Sequence, residues 1–186
     1  YVEGRCVGGG SEINSGLYHR TPSETRDRWR LEFGVEALTE ADMEPHFEAC
    51  EQDVAVSYHP GPLPEASLKL HEGSQRLGWK SMEVPRWFRY SGNQGGEAAG
   101  GTRQSMTKTF VPRALAAGCC LLPNTRVRLL QPRSDGWVLN AEHMLSPGHK
   151  RQVEINAGTV FVCGGAIQTP ALLRRSGIKQ HIGDSL

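Results

Sequence analysis

The chain has no run of apolar residues near the roughly 18 needed to cross a bilayer. Nor does it open with a charged start and an apolar stretch, as a secretory signal does. A membrane span is therefore excluded. The first residue is Tyr1 and not methionine, so the expectation is a processed chain, a cloned segment or a protein missing its beginning. The lack of a signal thus carries no information about destination. Charge of one sign is also lacking: 21 Lys and Arg against 20 Asp and Glu leave a net charge of +1. Neither a nucleic-acid footprint nor a polyanionic tail is expected from that balance. Five cysteines (Cys6, Cys50, Cys119, Cys120, Cys163) are odd in number and scattered, with no C-x-x-C pair and no histidine spacing suited to zinc. Read as mostly reduced thiols, they favour a cytoplasmic setting. G-x-G-x-x-G, G-x-x-x-x-G-K-[ST], G-x-S-x-G and H-E-x-x-H are absent, which removes a self-contained Rossmann, P-loop, serine-hydrolase or zinc-protease reading.

What the chain has in excess is glycine, 22 of 186 residues, or about 12% against a usual value of roughly 7%. Three small-residue loops hold much of it: Gly8-Gly9-Gly10-Ser11, residues 95–101, and Gly164-Gly165-Ala166. Glycine is favoured where the backbone takes positive φ or approaches a ligand closely enough for its N–H groups to bond it directly. Any one such run is accounted for by a turn. Three together point to a flat or anionic ligand. Asn14 follows the first loop and offers both amide donor and acceptor, although an asparagine there also suits a turn cap.

Periodicity organises the rest. Residues 22–33 alternate charges and read as a solvated surface segment. Thr39 precedes Met43, Phe47, Cys50 and Val54 at spacings of three and four, which predicts an N-capped amphipathic helix over 40–53. After a Pro-rich break a second helix is expected over 65–77, ended by Gly78. Residues 79–89 are aromatic and basic and read as substrate-domain core, and 92–101 read as a glycine loop. A helical pattern over 105–117 ends at Gly118, and Pro112 fits it only with a kink or a late first turn. Residues 125–131, 136–144 and 152–163 then alternate or run apolar between turn-forming stretches, a three-stranded antiparallel meander. Its continuously apolar end, 158–163, suggests burial on both faces of a larger sheet. Thr169-Pro170 is expected to open a short helix as N-cap and N1, closed by Gly177. The seven histidines show no pairing, and none is placed in the chemistry. Cys119-Cys120 read as buried thiols at a helix end, since adjacent cysteines bridge only with strain.

Two stretches carry a resemblance. Residues 4–18, from Gly4 through Gly8-Gly9-Gly10-Ser11 and Asn14 to Tyr18, resemble the flavin-contacting loop of the glucose/methanol/choline family of FAD-dependent oxidoreductases. Residues 165–178, with Gly165-Ala166, Thr169-Pro170 and Ser176-Gly177-Ile178, are similar to that family's second signature, departing at Lys179 where a glycine is usual. Between them, residues 101–118 resemble the helix before the adenine-side strand, most like the long-chain alcohol oxidase and gluconate or sugar dehydrogenase branches.

The resemblance implies an α+β chain that is a fragment of an α/β FAD-binding fold: an antiparallel β-meander plus helices and one strand-turn-helix of the FAD domain. It divides the chain into a flavin-contacting loop (1–22), a helical and loop-rich substrate-side region (23–100), and the helix, meander and strand-helix part of the FAD-binding domain (101–186). Gly8, Gly9, Gly10 and Asn14 would line the flavin, Val127 would offer backbone groups to the adenine, and Gly164 and Ala166 would sit at the sheet end against the cofactor. No catalytic or metal-binding residue is assigned. The implied reaction is oxidation of an alcohol or sugar-like donor, a base outside this chain taking the proton while a hydride passes to flavin N5. Oxygen, a quinone or a cytochrome would accept the electrons. The dinucleotide fingerprint and the catalytic histidine are expected before and after this segment, so the isolated piece is expected to be inactive and to bind FAD weakly or not at all. It is also expected to dimerise through its apolar strand. The competing reading is a non-enzymatic α+β module whose glycine loops bind a phosphate ligand or a partner protein.

Overall fold

The computed structural model describes residues 1–90 and 100–184. The expected glycine loop at 92–101 lies outside the described residues except at its end. The chain divides into two compact units, Tyr1–Cys120 and Leu121–Leu186. Both sheets found among the described residues are antiparallel, and with the helices they give the expected α+β class. No described helix is long and apolar enough to cross a membrane.

In the first unit a 3-10 turn at Gly9–Glu12 precedes helix α1 (Ser23–Phe33). The charged stretch read as a solvated segment is therefore helical. It lacks an apolar stripe, and its order comes from the Pro22 carbonyl, which accepts the Thr25 and Arg26 amides, each at 3.1 Å. A surface pair between Arg30 and Asp27 (3.2 Å) adds to this. One of its charges is not solvated at all: Arg26 is 5% exposed.

Helix α2 (Glu40–Asp53) has the expected bounds, set by a full capping box. Thr39 Oγ1 accepts the Asp42 amide at 3.2 Å, and Asp42 Oδ2 accepts the Thr39 amide at 3.1 Å. Arg20 joins this helix as a fork, bonding Glu51 through Nε (2.5 Å) and Nη2 (2.8 Å) and Glu44 through Nη1 (2.8 Å). Its guanidinium also lies 5.3 Å from the Phe47 ring centre. Arg26 pairs with Glu40 through Nη2, while its Nε and Nη1 are buried without a hydrogen-bond partner.

Strand β1 (Val56–Ser57), helix α3 (Glu65–Arg76), strand β2 (Arg86–Tyr90) and strand β3 (Gly101–Arg103) follow, with β2 central in the order β1-β2-β3. Helix α3 ends close to the expected position, and Gly78 takes φ 70°. The aromatic stretch is only partly core: Trp87 and Phe88 are half-buried in β2, whereas Trp79 is 67% exposed. Helix α4 (Phe110–Ala116) begins five residues later than the pattern suggested. The delay places Pro112 in the first turn, where a missing amide is harmless. Gly118 ends this helix at φ 88°, and Cys119 and Cys120 beyond it are exposed, which corrects the expectation that they are buried. All five cysteines are free and exposed, in line with reduced thiols.

The second unit is the expected meander: β4 (Thr125–Arg133), β5 (Gly136–Ser146) and β6 (His149–Ala157). Tight turns at Ser134-Asp135 and Pro147-Gly148 set the register, with Arg133 opposite Gly136 and Ser146 opposite His149. Gly136 is required at its turn, because a Cβ there would lie 2.4 Å from the Ala157 carbonyl oxygen. Leu130, Val138 and Ala141 are buried, at 3%, 1% and 1% exposure.

Two expectations fail at the end of the chain. Residues 158–163 form no strand: β6 ends at Ala157, the segment runs on without a ladder, and Phe161 is 87% exposed. A strand apolar on both faces needs a neighbouring strand in the ladder and cover on both faces, and this unit supplies neither among its described residues. Helix α5 (Gly165–Arg175) begins at the glycine turn, so Thr169 and Pro170 lie inside it and do not cap it. The Thr169 hydroxyl still satisfies the turn, accepting the Gly164 amide at 2.9 Å. At the other end Ser176 Oγ accepts the Leu130 amide at 2.9 Å, tying α5 to β4 beside a bulge between Val127 and Leu129, and Gly177 ends the helix at φ 86° as expected.

Candidate functional site

The first glycine loop is the better-built of the two candidate regions. The Gly9 amide donates to the Cys6 carbonyl (3.0 Å), and Ile13 and Asn14 both donate to the Gly10 carbonyl (3.2 and 3.0 Å). Gly8 and Gly9 take φ 87° and 55°, the left-handed region that glycine enters freely. Asn14 closes a local turn, its Oδ1 accepting the Gly16 amide at 3.0 Å, so the capping role is realised. Gly16 lies against the aromatic strand: a Cβ there would sit 2.6 Å from the Phe88 ring, and its carbonyl accepts the Trp87 amide at 2.9 Å.

A second segment, residues 103–107, holds this loop through polar contacts. Arg103 donates from Nη1 to the Asn14 carbonyl and from Nη2 to the Glu12 carbonyl. Ser11 is buried; its Oγ donates to the Gly8 carbonyl at 2.7 Å and accepts the Met106 amide at 3.0 Å. Glu12 Oε1 accepts the Thr107 hydroxyl (2.9 Å) and amide (3.2 Å). Desolvation pulls the Glu12 carboxyl upward, but the bonds from Thr107, Ser105 and Ser11 outweigh it and hold the group below the usual carboxylate range. Ser11, Glu12, Arg103 and Thr107 were not singled out from the sequence. Contacts between loops some 90 residues apart leave no periodic trace, and the only signal was that these polar residues sit inside residues 4–18 and 101–118, two of the three segments carrying the resemblance.

The glycines differ in what they do for the fold. Gly8 and Gly9 are both needed for their left-handed φ, and a Cβ on Gly8 would also displace the Glu12 carboxylate, 2.3 Å away. Gly10 has neither requirement: its φ is outside the left-handed region, and a Cβ would meet nothing within 4 Å. The fold gives no reason for a bare backbone at Gly10.

In the second unit, Gly164 caps α5 and Gly165 takes φ 82°. A Cβ on Gly164 would press on the Thr169 amide nitrogen at 3.2 Å, so close packing of the turn on its own helix accounts for part of this glycine. Ala166 lines an open groove of about 460 Å³ with Thr169, Pro170, Leu173, His181 and Asp184. His181, one of the seven histidines that the sequence reading kept out of the chemistry, has a left-handed φ of 54°. Arg174 bonds the Ile182 carbonyl (2.7 Å) and Asp184 (2.9 Å), holding the far wall. Val127 is half-buried in β4 opposite Ala141, next to the bulge. Thus Gly8, Gly9, Gly10 and Asn14 are brought together in one unit, and Val127, Gly164 and Ala166 lie in the other.

The sequence matches the GMC oxidoreductase family profile from residue 1 to residue 186. The chain belongs to the GMC oxidoreductase family. It is 39% identical over 192 aligned residues to a GMC-type oxidoreductase of Sinorhizobium fredii, an alignment covering 100% of this chain and 38% of that protein. It is 28% identical to an oxygen-dependent choline dehydrogenase of Paraburkholderia xenovorans (94% of this chain, 34% of the relative). It is 22% identical to a long-chain-alcohol oxidase of Arabidopsis thaliana (100% and 26%). This GMC chain thus spans roughly a third of the length of the curated relatives it matches. No solved structure matches it.

Proposed function

We propose that this chain is the part of an FAD-dependent oxidoreductase that presents glycine backbone to the cofactor, in an enzyme oxidising the CH–OH group of an alcohol or sugar-like donor. The observation that carries the reading is Gly10, a bare position in an exposed loop that the fold itself does not require, within a chain matched end to end by the family. The names of the choline dehydrogenase and long-chain-alcohol oxidase relatives support an alcohol as donor.

On this reading residues 1–22 form the flavin-contacting segment, 23–100 the substrate-side region, and 101–186 further cofactor-binding structure. Gly8, Gly9, Gly10 and Asn14 hold backbone groups toward the flavin, and Val127, Gly164 and Ala166 contribute from the second unit. When bound, FAD supplies the acceptor for the two electrons leaving the carbinol carbon. The residues of this chain bind and orient; none of them takes the alcohol proton, and the isolated chain is inactive on this account. The test is reconstitution of the full-length protein with FAD. Stoichiometric flavin absorbance, bleached by an alcohol under anaerobic conditions, is expected; no retained flavin contradicts the reading.

A further inference from the structure

We propose that Arg103 is a positioning residue for the glycine loop: it holds residues 8–14 in the conformation that faces the cofactor without touching the cofactor itself. The inference rests on the FAD reading above for its consequence, but on geometry alone for the holding role.

A four-residue 3-10 turn is marginal by itself, because its hydrogen bonds are poorly aligned and its last carbonyls have no partner within the turn. In this chain the Glu12 carbonyl ends Gly9–Glu12 and the Asn14 carbonyl lies two residues beyond it, and both are met by one guanidinium from β3. The planar fork supplies two donors in fixed geometry, and its positive charge faces the carbonyl end of the turn, where partial negative charge gathers. Arg103 is itself fixed, standing opposite Phe88 in the β2–β3 pairing. The adjoining contacts, Met106 to Ser11 and Thr107 to Glu12, come from the same short segment. The loop is thus gripped by residues 103–107, while Gly10 has nothing within 4 Å of where a Cβ would stand. Loss of the fork frees two carbonyls and lets the turn unwind, moving the amides of residues 8–14 out of register.

The test uses the full-length protein as wild type, Arg103→Ala and Arg103→Lys. The readouts are hydrogen exchange of a peptide covering residues 8–16 without FAD, FAD affinity, and exchange in the meander as a control. Arg103→Ala is expected to speed exchange in the loop peptide about tenfold or more and to weaken FAD binding by a similar factor, because charge-assisted bonds are lost. Meander exchange is expected to be unchanged. Arg103→Lys is expected to fall between, since one ammonium does not reproduce the fork; should the alanine variant not fold, the lysine variant alone decides by the same two readouts. Unchanged loop exchange, or wild-type FAD affinity despite faster exchange, overturns the proposal. If wild type binds no FAD while loop exchange still rises in the variant, the holding role stands and the FAD reading is what falls.

Discussion

The two units of the chain are held together by different physics. Residues 121–186 follow the ordinary plan, a ladder of backbone hydrogen bonds over a small apolar centre at Leu130, Val138 and Ala141. Among the described residues of 1–120 Val54 is the buried hydrophobic residue, against four buried polar or charged ones: Ser11, Arg26, Gln104 and Ser105. Order there comes from charged forks on α2 and from side chains that bond distant carbonyls. The difference teaches that a glycine loop need not be braced by a core. A few polar side chains brace it from one side and leave the other side bare.

The largest expected effect tests the apolar half. Leu130→Ala should destabilise the 121–186 unit by about 2–4 kcal/mol, read as a lower urea midpoint of full-length protein by a fluorescence probe in the meander. A change below about 0.5 kcal/mol would mean that the ladder alone holds the sheet.

The second prediction is the acid response. Glu12, Glu40, Asp42 and Glu51 in the first unit are all held below their ordinary pKa by hydrogen bonds and charge, Glu51 chiefly by Arg20 and Glu40 by Arg26. In the second unit Glu142 is lowered by Arg128 and Lys150. A lowered folded-state pKa means that the unfolded chain takes up protons first as pH falls. The stabilisation is therefore complete above the ordinary carboxylate range and is lost below about pH 4 as these groups protonate. Hydrogen exchange across an acid series should show the first unit opening at higher pH than the meander. Simultaneous opening would remove the contrast.

The smallest effect concerns Arg26, buried with two unpartnered nitrogens beside an exposed Glu40. Replacing a buried ion by an apolar side chain of similar length removes a desolvation cost along with the pair. Arg26→Met should therefore change the unfolding midpoint by less than about 1 kcal/mol or raise it, whereas Glu40→Ala, which strands the guanidinium, should lower it. Equal losses in the two variants would show the ion pair to be a true support.

Much of the frame was legible in the sequence for reasons that are local. Thr39 marked the start of α2, the turn residues at 134–135 and 147–148 marked the meander, and Gly118 and Gly177 marked helix ends. What was not legible depended on partners. Helix α1 has no apolar period to read, because its surface pairs and Pro22 order it. Residues 158–163 carry the composition of a buried strand but have no ladder among the described residues of their unit. The glycines of the candidate site were visible as a run; that Gly8 and Gly9 answer to the fold and Gly10 does not was visible only once the space around each was known.

Gly10→Val gives the most direct measurement, because that position has an ordinary φ and open space, so the variant should keep the wild-type unfolding midpoint. The account predicts that FAD titration of the full-length variant shows at least about a tenfold loss of affinity with stability unchanged. A variant that binds FAD as tightly as the wild type would contradict the claim that this loop's bare backbone meets the cofactor.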